Sequence, residues 1–261
     1  MSGNNPRFTS DRRPLDRASW AGSEDWEAGV TENLDIDSGD LVARSVDGLI
    51  GKPPAMPVDN FETGGLSSYD TSSGGGFSVT SNQVVNGSYS LEAEYRYDSG
   101  EHQIFSVSGL DVYPQKGDTF SFWYRANGGY GDKSRVSFNY IDDSNRYMIL
   151  INQTNGGPRY DEVRILRRGP RDSIVCSTGG NGSWSGDADT WYEFEVVWKK
   201  SDEFELYIKD QAGNVEATGI GTDNDPLPAA DGIAFAASGD DKYGLNTTKV
   251  WFDNFQIKSR P

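Results

Sequence analysis

The chain has 261 residues, a formal net charge of −16 and thirty-one glycines. Its one cysteine, Cys176, excludes an intrachain disulfide framework, and with a single histidine, His102, it excludes a zinc site built from those ligands. No apolar run approaches a membrane span, the N-terminus has no signal-type apolar core, and the acidic balance repels nucleic acid. Aspartate outnumbers glutamate 27 to 13, and arginine outnumbers lysine 15 to 9. An Asp-rich, Lys-poor surface of this kind suits molar salt, which screens its self-repulsion. The alternative is an ordinary acidic protein.

Residues 1–20 differ in kind from the rest. Arg7, Arg12, Arg13 and Arg17 outweigh Asp11 and Asp16, and Pro6 and Pro14 interrupt any regular element. This stretch is either a disordered tail or a basic arm that docks on an acidic partner. Trp20 and Trp26 follow in a polar setting and need a surface to bury against. Leu34-Asp-Ile36 and Leu41-Val-Ala-Arg44 flank Asp37-Ser-Gly-Asp40, which predicts a hairpin. A lone hairpin is marginal in water, so it must pack on something. Gly48 to Val58, with Pro53, Pro54 and Pro57, reads as an extended linker. An arm over 1–58 and one large domain over 59–261 follow.

The domain reads as all-β. Short runs with period-2 alternation recur between turn signals: Phe77–Thr80, Tyr89–Tyr95, Ile104–Val107, Thr119–Arg125, Val136–Tyr140, Arg146–Asn152 and Glu162–Arg167. Phe120, Phe122 and Tyr124 form a buried strip, with Ser121, Trp123 and Arg125 opposite. The clearest pair is Trp191–Trp198 followed by Phe204–Lys209 across a five-residue break. That loop sets Trp198 against Phe204, Val196 against Leu206 and Phe194 against Ile208. The other face then sets Glu195 against Tyr207 and Glu193 against Lys209, so one register gives an apolar face and a complementary charged pair. Gly232–Ala237 and Val250–Ile257 complete the set. Stretches 126–133, 168–190 and 219–230 read as long polar loops, where binding usually sits.

The order Phe61-Glu-Thr-Gly64, Val85-Asn-Gly-Ser-Tyr-Ser-Leu91, Phe120-Ser-Phe-Trp-Tyr-Arg125, Trp191–Trp198 and Val250–Ile257 resembles the concanavalin A-like jelly roll. That group includes laminin-G-type domains and many carbohydrate-binding modules. The resemblance covers about residues 59–258 and implies an antiparallel two-sheet sandwich. It also implies a structural Ca²⁺ at Glu62 and Asp253, completed by backbone carbonyls near Gly87. Ca²⁺ takes six to eight oxygens, which carboxylates and carbonyls can supply. The alternative is that both residues only cap strand ends, and Asp223-Asn-Asp225 and Asp240-Asp241 are weaker cation candidates. Asp25-Trp-Glu-Ala-Gly29 and the hairpin after it resemble, in style, virion surface proteins of haloarchaeal tailed viruses.

Glycan-cleaving jelly rolls carry a Glu-x-Asp-x-x-Glu pattern, which is absent here. Glu193 and Glu195 are the best remaining carboxylate pair, and Lys209 and Tyr207 opposite them fit a structural face better than an acid–base pair. His102 has no nucleophile near it in sequence. The chain is therefore expected to be non-enzymatic. For a glycan, Trp123, Arg125 and Tyr207 supply one face, and Tyr130 and Trp184 sit in Gly-rich loops where exposure is expected. The alternatives are that a loop or the arm covers Trp123, and that Trp184 packs under its own loop. The expectation is a homo-oligomeric turret, spike or tail fibre on a virion surface. It would be fixed to other virion proteins through Arg12, Arg13, Trp20 and Trp26, and would meet host glycans. The alternatives are a carbohydrate-binding accessory module of a halophilic cell and a ligand-free capsid decoration protein.

Overall fold

The computed structural model describes residues 34–37, 40–43, 54–73, 75–95, 102–127, 132–153, 162–179, 184, 186–238 and 248–260. The chain divides into two compact units, Met1–Pro53 and Pro54–Pro261. In the first, β1 (Leu34–Asp37) and β2 (Asp40–Ala43) form the expected hairpin, with Leu34 opposite Ala43 and Asp37 opposite Asp40. Arg12, Arg13, Trp20, Trp26, Tyr130 and Asp240-Asp241 lie outside the described residues.

The second unit is an all-β, antiparallel two-sheet jelly-roll sandwich. Its first strands are β3 (Met56–Asp59), β4 (Asp70–Ser73), β5 (Phe77–Thr80), β6 (Ser90–Tyr95) and β7 (His102–Ser106). Then come β8 (Thr119–Ala126), β9 (Asp132–Asp142), β10 (Asn145–Gln153), β11 (Glu162–Arg168) and β12 (Ser173–Ser177). The last are β13 (Tyr192–Trp198), β14 (Glu203–Lys209), β15 (Val215–Thr222), β16 (Ile233–Ser238) and β17 (Thr248–Ser259). One sheet has seven strands in the order β12-β11-β10-β9-β16-β7-β4. The other has eight, β15-β14-β13-β8-β17-β6-β5 with β3 added on β17. Met56–Asp59 overlaps the stretch read as linker; Asp59 pairs with Phe255 and Met56 with Ile257.

The inward faces are aromatic. Alternation puts Tyr192, Phe194, Val196 and Trp198 inside on β13 and Phe204, Leu206 and Ile208 inside on β14, all buried. The register is the expected one, from Glu193 opposite Lys209 to Trp198 opposite Phe204. Phe122 stacks on Phe194 at 5.3 Å, and Trp198 on Phe204 at 5.7 Å. From the facing sheet, Phe138 stacks on Tyr147 at 5.5 Å and meets Trp198 edge-on at 5.5 Å. Offset and edge-to-face contacts like these add to area burial.

Besides β3, three strands fall where loops or no strand were expected. β12 lies inside 168–190, β15 runs to Thr222, and β4 lies in the Gly/Ser stretch after Gly64. β12 and β15 close one edge of the sandwich. A Cβ on Gly219 would stand 2.5 Å from the Ser177 carbonyl oxygen, and one on Gly221 would stand closer still to that of Val175. Only glycine allows this approach.

Candidate functional site

The two outer faces differ in chemistry. On the eight-stranded sheet, β8 carries Trp123 and Arg125 outward, β14 carries Tyr207, and β13 carries Glu193 and Glu195. Three of the residues assigned to a glycan thus share one face. Their neighbours, however, bind each other. Lys258 reaches Glu193 and Glu195, each at 2.6 Å, and Lys209 reaches Glu195 at 2.8 Å. Lys249 bridges Glu92 at 2.9 Å and Glu94 at 3.0 Å, and the Trp251 indole N–H donates to Glu92 at 2.8 Å. Arg125 pairs with Asp189 at 2.9 Å and lies over the Trp251 ring at 5.6 Å. The Tyr207 hydroxyl donates to Glu205 at 2.7 Å, which holds its proton in place and raises its pKa. Burial would raise the Glu195 carboxyl, but hydrogen bonds from Lys209 and Lys258 outweigh it, so the pKa is lowered. This is a cross-linked face of glutamates and lysines.

Trp184 is not on any surface. It is 4 % exposed and meets Tyr192 and Phe194 edge-on at 5.2 and 5.6 Å. A Cβ on Gly186 would stand 2.7 Å from its ring, so that glycine lets the chain pass over the indole. The expected exposure is overturned: Trp184 is buried against the aromatic core.

Glu62 and Asp253 converge on one turn, 85–89. Asp253 Oδ2 accepts the N–H groups of Val85 and Asn86 at 2.8 and 3.1 Å. Glu62 Oε1 accepts those of Ser88 and Tyr89 at 2.8 and 3.0 Å. Gly87, at φ +80°, makes room for the Glu62 carboxylate. Asp253 is fully buried and its Oδ1 has no hydrogen-bond partner. Burial, and more weakly the Glu62 charge, push its pKa up. An orphaned buried carboxylate oxygen beside a second carboxylate fits a cation. Among the described residues, no group of three or more His, Cys, Asp or Glu gathers to hold a metal, so backbone carbonyls would have to complete a set here. Asp223 is otherwise engaged: it accepts the Tyr147 hydroxyl at 2.8 Å, while Arg167 pairs with Asp225 at 2.7 Å.

The outer face of the seven-stranded sheet went unnoticed in the sequence. Register builds it in cross-strand rows. One row runs Ile174, Leu166, Met148, Ser137, Ala234, Phe105 from β12 to β7. The adjacent row runs Arg164, Leu150, Arg135, Ala236, Gln103. Arg168 pairs with Arg146 in the next. The alanines of β16, Ala234 and Ala236, are buried between β9 and β7. A groove of about 300 Å³ opens at the β9–β12 end, with Arg135, Met148, Leu150, Leu166, Arg168 and Ile174 among its lining residues. Ile174 is 56 % exposed.

The other end of this face is polar and rigid. Asn139 takes a left-handed φ of 47°, and the irregular register there turns Tyr140 outward onto Phe105, with ring centroids 5.3 Å apart. Arg146 donates to the Gln103 carbonyl at 2.6 Å and to Asp143 at 3.1 Å, and lies over the Tyr140 ring at 5.5 Å. Gln103 donates to Asp143 at 2.8 Å, as does the Tyr140 hydroxyl. Burial and Asp143 raise the Tyr140 pKa, so it stays a donor; the Gln103 hydrogen bond leads those that lower the pKa of Asp143. Such a closed network fixes each member's orientation. On β11 the outward positions are Arg164, Leu166 and Arg168, between the buried Val163, Ile165 and Arg167, and that alternation is the signal that could have flagged this face.

No family model and no curated protein matches the chain. Among solved structures, an endo-β-1,4-glucuronan lyase from the fungus Trichoderma reesei is similar at 14% identity and a TM-score of 0.47, covering 81% of this chain and 100% of that one. The cellulose induced protein Cip1 is similar at 17% identity and a TM-score of 0.47, over 78% and 97%. Lectin I-B4 from Griffonia simplicifolia is similar at 11% identity and a TM-score of 0.47, over 78% and 98%. At these values the likenesses say nothing of what this chain binds.

Proposed function

We propose that the Pro54–Pro261 unit is a non-enzymatic glycan-binding domain, and that the glycan lies across the outer face of the seven-stranded sheet. The observation that carries this is the pair of cross-strand rows, one largely apolar and one alternating arginine with leucine, alanine and glutamine. A sugar offers apolar C–H faces and a rim of hydroxyls. An apolar bed with a few fixed planar polar groups matches both. On the opposite face the outward lysines and glutamates satisfy one another. The same pairing of Glu193 and Glu195 with lysines supports the absence of catalysis there.

The test is titration of the full chain with a panel of oligosaccharides. A ligand found this way should lose affinity in Leu150→Asp and keep it in Tyr207→Ala. Loss only in the Tyr207 variant would return the site to the other sheet. We also propose a Ca²⁺ held by Asp253 and Glu62 with carbonyls near Gly87, supported by the buried, partnerless Asp253 Oδ1.

For the setting, we favour a virion surface appendage in which residues before Pro54 attach the domain to its particle. The division of the chain at Pro53 supports a separate attachment unit, and so does the local excess of arginine at 7, 12, 13 and 17. A homo-oligomeric full-chain mass in molar salt would favour this appendage. A monomer would favour a free-standing binding module.

A further inference from the structure

We infer that Asn86 is an acceptor for N-linked glycosylation, presented to a transferase on the exposed turn 85–89. The inference is independent of the glycan-binding face proposed above, since here the sugar is carried and not recognised.

The sequence supplies the motif. An oligosaccharyltransferase reads Asn-x-Ser or Asn-x-Thr, with x any residue but proline. Four such triplets occur: Asn86-Gly-Ser88, Asn152-Gln-Thr154, Asn181-Gly-Ser183 and Asn246-Thr-Thr248. The last three each include residues outside the described ones. Asn86, Gly87 and Ser88 are all described, and all three are exposed.

The structure then sorts the asparagines by what their side chains do. Asn60 accepts the Glu62 N–H, and Asn127 accepts the Lys249 N–H. Asn139 donates to the Pro228 carbonyl and accepts the Ala230 N–H. Asn145 donates to Asp142, and Asn214 to Asp210. These five are tied into the fold, and none of them begins a triplet. Asn86 is engaged only through its backbone N–H, which donates to Asp253 at 3.1 Å. Ser88 is engaged only through its own, which donates to Glu62 at 2.8 Å. The Asn86 carboxamide and the Ser88 hydroxyl, the two groups a transferase must hold, therefore have no partner among the described residues.

The turn is also built to carry a load on its outside. Asp253 and Glu62 hold it through four backbone N–H groups, those of Val85, Asn86, Ser88 and Tyr89. A Cβ on Gly87 would stand 2.3 Å from Glu62 Oε1, and its φ is +80°, so the middle of the triplet is glycine for a structural reason. A sugar on the Asn86 amide removes none of these contacts. The transfer balances as a substitution at the anomeric carbon of a polyprenyl diphosphate-linked oligosaccharide. The Asn86 Nδ2–C1 bond forms and the C1–O bond to the lipid diphosphate breaks. The diphosphate leaves with the electron pair, and a carboxylate of the transferase takes the amide proton.

The experiment incubates the folded full chain with such a lipid-linked oligosaccharide and an oligosaccharyltransferase that accepts Asn-x-Ser/Thr. A synthetic peptide of residues 80–92 runs beside it. Intact mass and peptide mapping read the products. The expected result is a gain of one oligosaccharide at residue 86 of the folded chain, with no fall in Tm. Asn86→Gln and Ser88→Ala should each lose that gain, and Ser88→Thr should keep it. Modification of the peptide but not of the folded chain overturns the inference, because the turn is then closed to the enzyme. Modification confined to Asn152, Asn181 or Asn246 overturns it too, as does no modification of either chain or peptide. None of these outcomes bears on the binding face, which the oligosaccharide titration tests.

Discussion

Replacing Lys258 with methionine probes the face where the sequence offered its best pair of carboxylates. Lys258 holds Glu193 and Glu195 at 2.6 Å each, and the side chains of the three are 20 %, 12 % and 15 % exposed. Methionine keeps the stem and removes the charge. Two half-buried ion pairs are lost, each contributing about 0.5–1 kcal/mol. The glutamates sit two residues apart on one strand, about 7 Å along it. Their repulsion there is about 0.6–2.4 kcal/mol for an effective dielectric between 80 and 20. Lys209 still offsets part of this for Glu195. A destabilisation of about 2 kcal/mol follows, or about 4–8 °C in Tm for a domain of this size.

The pH dependence gives the sharper check. The Glu195 pKa is lowered in the fold, so its contribution is present above its ordinary value of 4.5 and is lost as the pH falls through the folded value. The gap between wild type and K258M should be full at pH 7 and narrower at pH 3, where protonation of Glu195 has begun to remove its charge. Thermal unfolding followed by circular dichroism at both values measures it. A gap that is equal at both, or below about 1 °C at pH 7, would refute the view that these glutamates are tied down by charge pairing.

Trp184→Ala should cost about 3–5 kcal/mol, seen as a fall in denaturant midpoint, because it empties a fully packed site against Tyr192 and Phe194. Glycan affinity measured well below the melting point should not change. Gly221→Ala should cost about 1–3 kcal/mol or more, since the new Cβ drives into the Val175 carbonyl and must push β12 from β15. Calcium at about a hundred times its Kd should raise Tm by an amount equivalent to about 2.7 kcal/mol. Asp253→Asn should abolish that rise, and a rise that survives the substitution would place the cation elsewhere.

Much of the sandwich was legible because inward positions announce themselves. Tyr192, Phe194, Val196 and Trp198 answer Phe204, Leu206 and Ile208 in one register, and the structure keeps it. Where the inward residue must be small, the signal disappears. On β15 the inward positions are Ala217, Gly219 and Gly221, dictated by the closeness of β12, so a true strand reads as a polar loop. β4, Asp-Thr-Ser-Ser, is an edge strand with no apolar alternation at all. Trp184 misled for the opposite reason: glycines beside an aromatic suggest exposure, yet here Gly186 is what allows the ring to be covered.

The binding face was harder to see, for a reason built into sandwiches. Alternation tells which residues of a strand point outward, but both sheets have an outward side, and one strand alone does not say which sheet it joins. Trp123 and Arg125 drew attention because they sit together in sequence on β8. The arginines at 135, 146, 164 and 168 lie on three strands and become neighbours only when β9, β10 and β11 pair. Ala234 and Ala236 look like weak core positions until β16 is placed between β9 and β7, where they join the rows of the outer face. A cross-strand row is a property of register, and register across four strands is what a single chain read in order does not display. Pairing of β9, β10 and β11 sets Arg164 and Arg135 on either side of Leu150, an order that no one strand displays.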